Sequence, residues 1–320
     1  MSNANDKSSA CRSYAFLGTG AVGGYYGACL QRAGLDVHFL LHSDYEYASQ
    51  YGLVVESPDG SFTLPKVNAY QDVSKMPRCD VVALALKTTQ NHLLPQLLPQ
   101  VVKDDSVVLV LQNGLGVEDK VAEIVGFHRV FGGICFLCCN KVGPGHIRHL
   151  DHKAITLGKY TPDYHPNGIS EQMRQIADDF ERAGISIHLS EDLLLARWQK
   201  LVWNIPFNGL SVVLNATTTE LMADDCARSL VEQIMREVIA GAAMFGCHIP
   251  DNFIARMLEQ TVKMKPYKTS MKIDYDLKRP LEVEAIFGNP SRMVQATGAD
   301  LPQINTLYQQ LKFLDRKNCR

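Results

Sequence analysis

Near its start the chain reads Tyr14-Ala15-Phe16-Leu17-Gly18-Thr19-Gly20-Ala21-Val22-Gly23, a short apolar run that turns on G-x-G-x-x-G into a helix-like stretch. Each glycine answers a different demand. The first permits a tight turn, the second lets backbone approach a pyrophosphate, and the third lets the helix pack closely on the strand. An anion above such a turn meets the free N–H groups and positive dipole end of the helix. The motif alone also fits a glycine-rich turn with no ligand. With a strand before it and a helix after it, dinucleotide binding by Gly18, Thr19, Gly20, Ala21, Val22 and Gly23 is the stronger expectation.

The rest of the chain supports that setting. Apolar runs at 14–17, 37–41, 81–86 and 107–111 read as buried strands, and Val54 and Val55 belong to another. Helix-length segments at 22–33 and 90–101 lie between them. Continuous β-branched runs suit a parallel sheet covered on both faces, and strand alternating with helix predicts a doubly wound α/β domain. Extra strands are expected over 130–157. Beyond about residue 190 the pattern turns helical, at 191–202, 226–245, 252–264 and 302–313. The expected organisation is a disordered polar tail at 1–12, an α/β Rossmann-type domain at 13–188 and an all-α substrate and catalytic domain at 189–320.

Composition excludes several function classes. With 32 Lys and Arg against 34 Asp and Glu, the net charge is −2, which offers no global basic field for nucleic acid. No run approaches the ~18 apolar residues of a membrane helix, and the polar start lacks the apolar core of a secretory signal. The nine cysteines are odd in number and scattered. They suit reduced thiols and a cytoplasmic location better than a disulfide framework.

Cofactor choice is read beyond the second strand, where an acid suits the ribose hydroxyl of NAD and a cation suits the phosphate of NADP. Asp44 stands 21 positions after Gly23, but His42 and Ser43 beside it can also receive a phosphate, so spacing leaves both open. Lys200, Asn204 and Asn208 follow at i, i+4 and i+8 and can share one helix face, although Pro206 should kink that helix. Trp198, Trp203 and Phe207 around them imply packing, so the polar groups between need partners. One ammonium and two amides facing a cleft suit a small anion; the bland alternative is a solvated polar stripe. An alkoxide formed from a ketone needs a proton, and a desolvated Lys200 can supply it. Asn113 follows the 107–111 strand, where ligands bind in such sheets.

Other signals carry less. Cys135, Cys138 and Cys139 lie in a strand-like run without a second pair and read as buried, unreactive thiols. His146, His149 and His152 recur every third residue but follow Pro144-Gly145 into strand-like sequence, which argues against one helical face and a metal. The lysines 263, 265, 268, 272 and 278 read as a solvated loop and helix start, with a minor role in attracting an anion.

With Ala85-Leu86-Lys87-Thr88-Thr89-Gln90, Gln112-Asn113-Gly114, Trp198-Gln199-Lys200-Leu201-Val202-Trp203-Asn204, Ser270-Met271 and Leu281-Glu282-Val283-Glu284 added in order, the chain resembles the ketopantoate reductase family from about residue 14 to residue 313. The resemblance implies a Rossmann domain and a helical domain with the active site between them. It also implies NADPH-dependent reduction of 2-dehydropantoate to pantoate, on the route to pantothenate and coenzyme A. By that resemblance Lys200 is the general acid, and Asn204, Asn208 and Ser270 bind the substrate. Asn113 stands between nicotinamide and substrate, Glu282 lies near substrate and cofactor, and Lys87 holds the cofactor phosphate; by its own chemistry Glu282 would orient Lys200 or accept a substrate hydroxyl. The backbone at Cys138 passes the nicotinamide. His42 stands where members commonly carry an arginine for the 2′-phosphate, and Thr218 where they carry a further substrate asparagine. The alternatives are an NAD(P)-dependent dehydrogenase of another small 2-keto or 2-hydroxy acid, and a dinucleotide sensor without catalysis. The helical half is also a possible homodimer surface.

Overall fold

The computed structural model describes residues 12–264 and 268–318. Residues 1–11 of the expected tail, and Lys265, lie outside the described residues. Arg12 is anchored: its guanidinium donates to Asp179 at 2.7 Å and to the Gln175 carbonyl at 2.8 Å.

The chain opens with β1 (Ser13–Leu17), α1 (Ala21–Arg32), β2 (Asp36–Leu40) and α2 (Tyr45–Tyr51). Short strands β3 (Leu53–Glu56), β4 (Phe62–Leu64) and β5 (Asn68–Tyr70) follow. Then come β6 (Cys79–Leu84), α3 (Leu94–Val101), β7 (Val102–Val110), α4 (Val117–Val125), β8 (Val130–Gly143), β9 (His146–Lys159), α5 (Glu171–Arg182) and β10 (Ile187–Ser190). These strands form one sheet in the order β4-β3-β9-β8-β7-β6-β1-β2-β5, with β10 also on β9. Its centre, from β2 through β1, β6 and β7 to β8, is parallel, as the apolar runs predict.

Three features depart from the simple doubly wound expectation. The extra strands over 130–157 are a 14-residue antiparallel pair, β8 and β9, with register slips at Leu137/Cys138 and Cys138/Cys139. Such bulges bend a strand and increase its twist. The strand containing Val54 and Val55 is not a neighbour of β2; it pairs with β9, because β5 occupies the free edge of β2. The segment 90–101 is two pieces, a 3-10 turn at Thr88–Leu93 and then α3. Pro95 explains the break, since it lacks an N–H and is tolerated only in a helix's first turn.

The second half is helical: α6 (Leu193–Val213), α7 (Thr218–Ala223), α8 (Asp225–Ala243), α9 (Asn252–Lys263), α10 (Ser270–Asp276), α11 (Asn289–Gln295) and α12 (Pro302–Asn318). The change from sheet to helices falls at residues 191–192. One apolar core lies within the helices, around Trp198, Ile205, Phe207 and Phe287. Two others cover the two faces of the sheet. The core under α3 and α4 also takes Leu193, Ala196 and Ala285 from the helical half, so the halves share packing. Among the described residues no helix is long and apolar enough to cross a membrane.

Candidate functional site

The glycine turn divides its labour between the chain and an incoming ligand. Gly18 sits at φ +97°, and a Cβ there would lie 2.6 Å from the Leu86 nitrogen. A Cβ on Gly23 would lie 2.1 Å from the Gly18 carbonyl oxygen. Both glycines are required by the protein's own packing. Gly20 differs: a Cβ there meets nothing within 4 Å. It leaves open space over the first turn of α1, beside Ala21 and Val22, where free N–H groups face outward. Thr19 ties the turn to β2 by donating to the Leu40 carbonyl at 2.9 Å. This is the cradle a pyrophosphate fits.

At the ribose end, Asp44 and its two neighbours stand in different surroundings. Asp44 is buried and accepts from the Lys141 ammonium at 2.5 Å and the Gly145 N–H at 3.0 Å. It is engaged with the β8–β9 hairpin. His42 and Ser43 are exposed beside it.

Beyond β6, Lys87 reaches into the helical half. Its ammonium donates to Asp274 at 2.9 Å and to Glu282 at 3.3 Å. Desolvation pulls that ammonium down, but the Glu282 and Asp274 carboxylates outweigh it and raise its pKa to about 12. The other oxygen of Glu282 accepts from the Thr88 N–H at 2.9 Å and its hydroxyl at 3.1 Å. The expectation that Glu282 orients Lys200 is therefore corrected. Among the described residues its hydrogen bonds go to Lys87 and Thr88, because Glu282 precedes a π-turn (Glu284–Gly288) docked against the Rossmann half. In the same π-turn the Ala285 carbonyl accepts from the Leu115 N–H at 2.9 Å. Glu284, two positions on, pairs with Arg292 and Lys312 outside the site.

α6 holds the expected catalytic lysine and substrate asparagines. It runs unbroken through Pro206, and Asn204 and Asn208 are each only 3% exposed. Among the described residues no hydrogen bond engages the Asn204 amide, and the Asn208 oxygen has one partner, the Met271 N–H at 3.5 Å. That contact brings Ser270, at the start of α10, beside Asn208. The Lys200 ammonium lies 4.4 Å from the centre of the Phe136 ring, with no carboxylate partner among the described residues. Burial lowers its pKa. Two buried amides and an unpaired ammonium on one helix face are costly unless a ligand satisfies them.

Asn113 follows β7 in a turn held from both sides. Gly114 sits at φ +101°, where a Cβ would lie 2.4 Å from the Ala285 oxygen, and the Gln112 amide donates to Leu86 and Asn91. Cys138 is buried at a register slip of β8, and desolvation pushes its thiol up to about 11 and that of Cys135 up to about 12. Both are poor nucleophiles near neutral pH. His146 pairs with Glu56, while His149 bonds to Ser57 and the His152 carbonyl. Lys272 corrects the reading of a wholly solvated lysine stretch: it is 4% exposed and paired with Asp276. Thr218 is buried in the first turn of α7.

The ketopantoate reductase PanE/ApbA model matches residues 14–162, and its C-terminal model matches residues 192–315. A 2-dehydropantoate 2-reductase from Nostoc sp. is 68% identical over 307 residues, covering 96% of each chain. The chain belongs to the ketopantoate reductase family. A crystal structure of 2-dehydropantoate 2-reductase from Geobacter metallireducens superposes with a TM-score of 0.89 at 42% identity, covering 94% of this chain and 99% of that one. A D-mandelate dehydrogenase, solved with NADH and anilino(oxo)acetate, shares the fold at 21% identity and a TM-score of 0.84, covering 96% of this chain and 99% of that one.

The motifs give no role to Asp274 and Thr88, which pair with Lys87 and Glu282, nor to the buried ion pair of Arg197 and Glu118. Asp274 had a local signal, one helical turn after Ser270. Arg197 and Glu118 stand 79 positions apart and had none.

Proposed function

We propose that this chain reduces 2-dehydropantoate to pantoate with NADPH, Lys200 supplying the proton. The observation that carries this reading is the helix face of half-buried Lys200 and buried Asn204 and Asn208, almost without partners. Gly18 to Gly23 would hold the dinucleotide, with His42 and Ser43 toward its 2′-phosphate, Lys87 toward its phosphates, and Asn113 and the backbone of Cys138 toward its nicotinamide; when bound, it would supply the hydride. Asn204, Asn208 and Ser270 hold the carboxylate and hydroxyl of the keto acid. Lys200 faces the keto oxygen and protonates it as negative charge builds. The neutral amine that remains is favoured by the same desolvation that lowers the ammonium's pKa. Glu282 acts through Lys87 and Thr88, closing the helical half over the cofactor. We place the division of labour at 13–188 for cofactor and 189–320 for substrate, supported by the sheet-to-helix change. We place the reaction in the cytoplasm, supported by buried unpaired thiols such as Cys29, Cys79 and Cys247.

The test is loss of reduced-cofactor absorbance with ketopantoate, NADPH and NADH run in parallel. Turnover with NADPH is the expected result. His42, in place of the family's arginine, favours a second reading with NADH or a different 2-keto acid. Turnover confined to those conditions would select it. Tight cofactor binding without turnover on any 2-keto acid would overturn both readings in favour of a sensor.

A further inference from the structure

A second charged residue on α6 points away from solvent altogether. Arg197 lies three positions before Lys200 and is 3% exposed. Its guanidinium donates to Glu118 through Nε at 2.9 Å and again through Nη2. It also donates to the Gln112 carbonyl at 2.6 Å and the Val110 carbonyl at 3.4 Å. Val110 ends β7, Gln112 immediately precedes Asn113, and Glu118, 1% exposed, lies in the first turn of α4. One planar group thus ties the Lys200 helix to three pieces of the Rossmann half. β8 makes room for it: a Cβ on Gly132 would lie 2.5 Å from the Glu118 carboxylate and 2.5 Å from a Leu193 methyl.

Stability alone does not explain the charge pair, although Arg197 also satisfies two backbone carbonyls. Desolvating two charges offsets their attraction, and apolar replacements of similar volume are often as stable or more so. A forked guanidinium does supply direction, because several N–H bonds at fixed angles leave the helix no freedom to slide or rotate. Positioning matters here, since a misplacement of ~1 Å between reacting groups costs on the order of a hundredfold in rate.

We propose that Arg197, held by Glu118, is a positioning residue that sets the register of Lys200 against Asn113 and so places the proton donor at the keto oxygen. The proposal rests on the reaction assigned above. It touches no substrate atom; its effect passes through the α6 backbone and the Gln112 carbonyl.

The test compares the parent with Arg197→Lys and with the double variant Arg197→Met/Glu118→Leu, which keeps the volume and removes both charges. Thermal melting and cofactor titration establish that each variant folds and binds. The expected result for the double variant is a folded protein with unchanged cofactor affinity, its melting temperature lowered only by the lost bonds to the Gln112 and Val110 carbonyls. Its kcat should fall ~100-fold with little change in the keto-acid KM. Arg197→Lys keeps the charge but not the fork and should recover only part of kcat. Carbon-13 NMR of the methylated protein then follows the titration of Lys200 without any substrate. It should lie below the ordinary lysine value of about 10.4 in the parent and return toward it in the double variant. A folded double variant that keeps kcat within about threefold, or in which Lys200 titrates as in the parent, overturns the proposal. A parent without turnover would overturn the reaction, not this role, which the titration then decides alone.

Discussion

Two lysines of the proposed site are prepared in opposite ways. Lys87 faces two carboxylates from the helical half and is raised to about 12. Lys200 faces an aromatic ring and is lowered by burial. The first is a fixed positive charge across the biologically relevant pH range, suited to holding anions and the two domains together. The second can part with its proton and hold none afterward. On the proposed mechanism the same side chain becomes clamp or acid according to whether a carboxylate stands beside it.

The largest effect should come from removing the acid. Lys200→Met is expected to lower kcat on the order of 10²–10⁴-fold while leaving NADPH affinity unchanged, read by steady-state rates and cofactor fluorescence titration. Next is an attempt to make Lys200 resemble Lys87. Reduction needs the ammonium, so in the parent kcat should fall with rising pH through a pKa below that of free lysine, and the reverse oxidation should rise through it. Asn204→Asp places a carboxylate one turn from Lys200; the pH limb should move to higher pH. Repulsion of the substrate carboxylate should raise the keto-acid KM by about tenfold or more.

The converse change is smaller. Lys87→Ala leaves Asp274 with Arg279, and Glu282 with Thr88. Denaturant melts should show a loss of about 1–3 kcal/mol for the weakened buried carboxylates, with several-fold weaker cofactor binding. The smallest change is at the cofactor's far end. His42→Arg should raise the preference for NADPH over NADH by about tenfold, measured as a ratio of kcat/KM values, because a charge-assisted fork replaces an imidazole.

What was legible in the chain follows range. The glycine turn, the β-branched runs of the parallel centre and the i, i+4, i+8 face of α6 are local patterns, and each lies where its period predicts. The pairing of Glu282 with Lys87 spans 195 positions, and no period connects residues so far apart. Resemblance placed both near the cofactor but could not say which lysine Glu282 meets. Asp44 shows the limit of spacing: the interval from Gly23 suits a ribose ligand, yet a lysine on a distant hairpin engages the carboxylate. Lys272 shows the limit of composition, since a run of lysines looks solvated until a helix buries one of them against Asp276.

The three glycines of the opening turn also keep different histories. Gly18 and Gly23 are held by contacts within the chain itself, so a lineage that kept the fold would keep them. Gly20 adopts an ordinary backbone conformation, φ −82°, with free space where a methyl would go. Nothing within the chain forbids that methyl; a bound dinucleotide would. In a descendant that had ceased to bind a dinucleotide, position 20 would drift to other small residues while 18 and 23 stood still. That one position would record the loss long before the fold did.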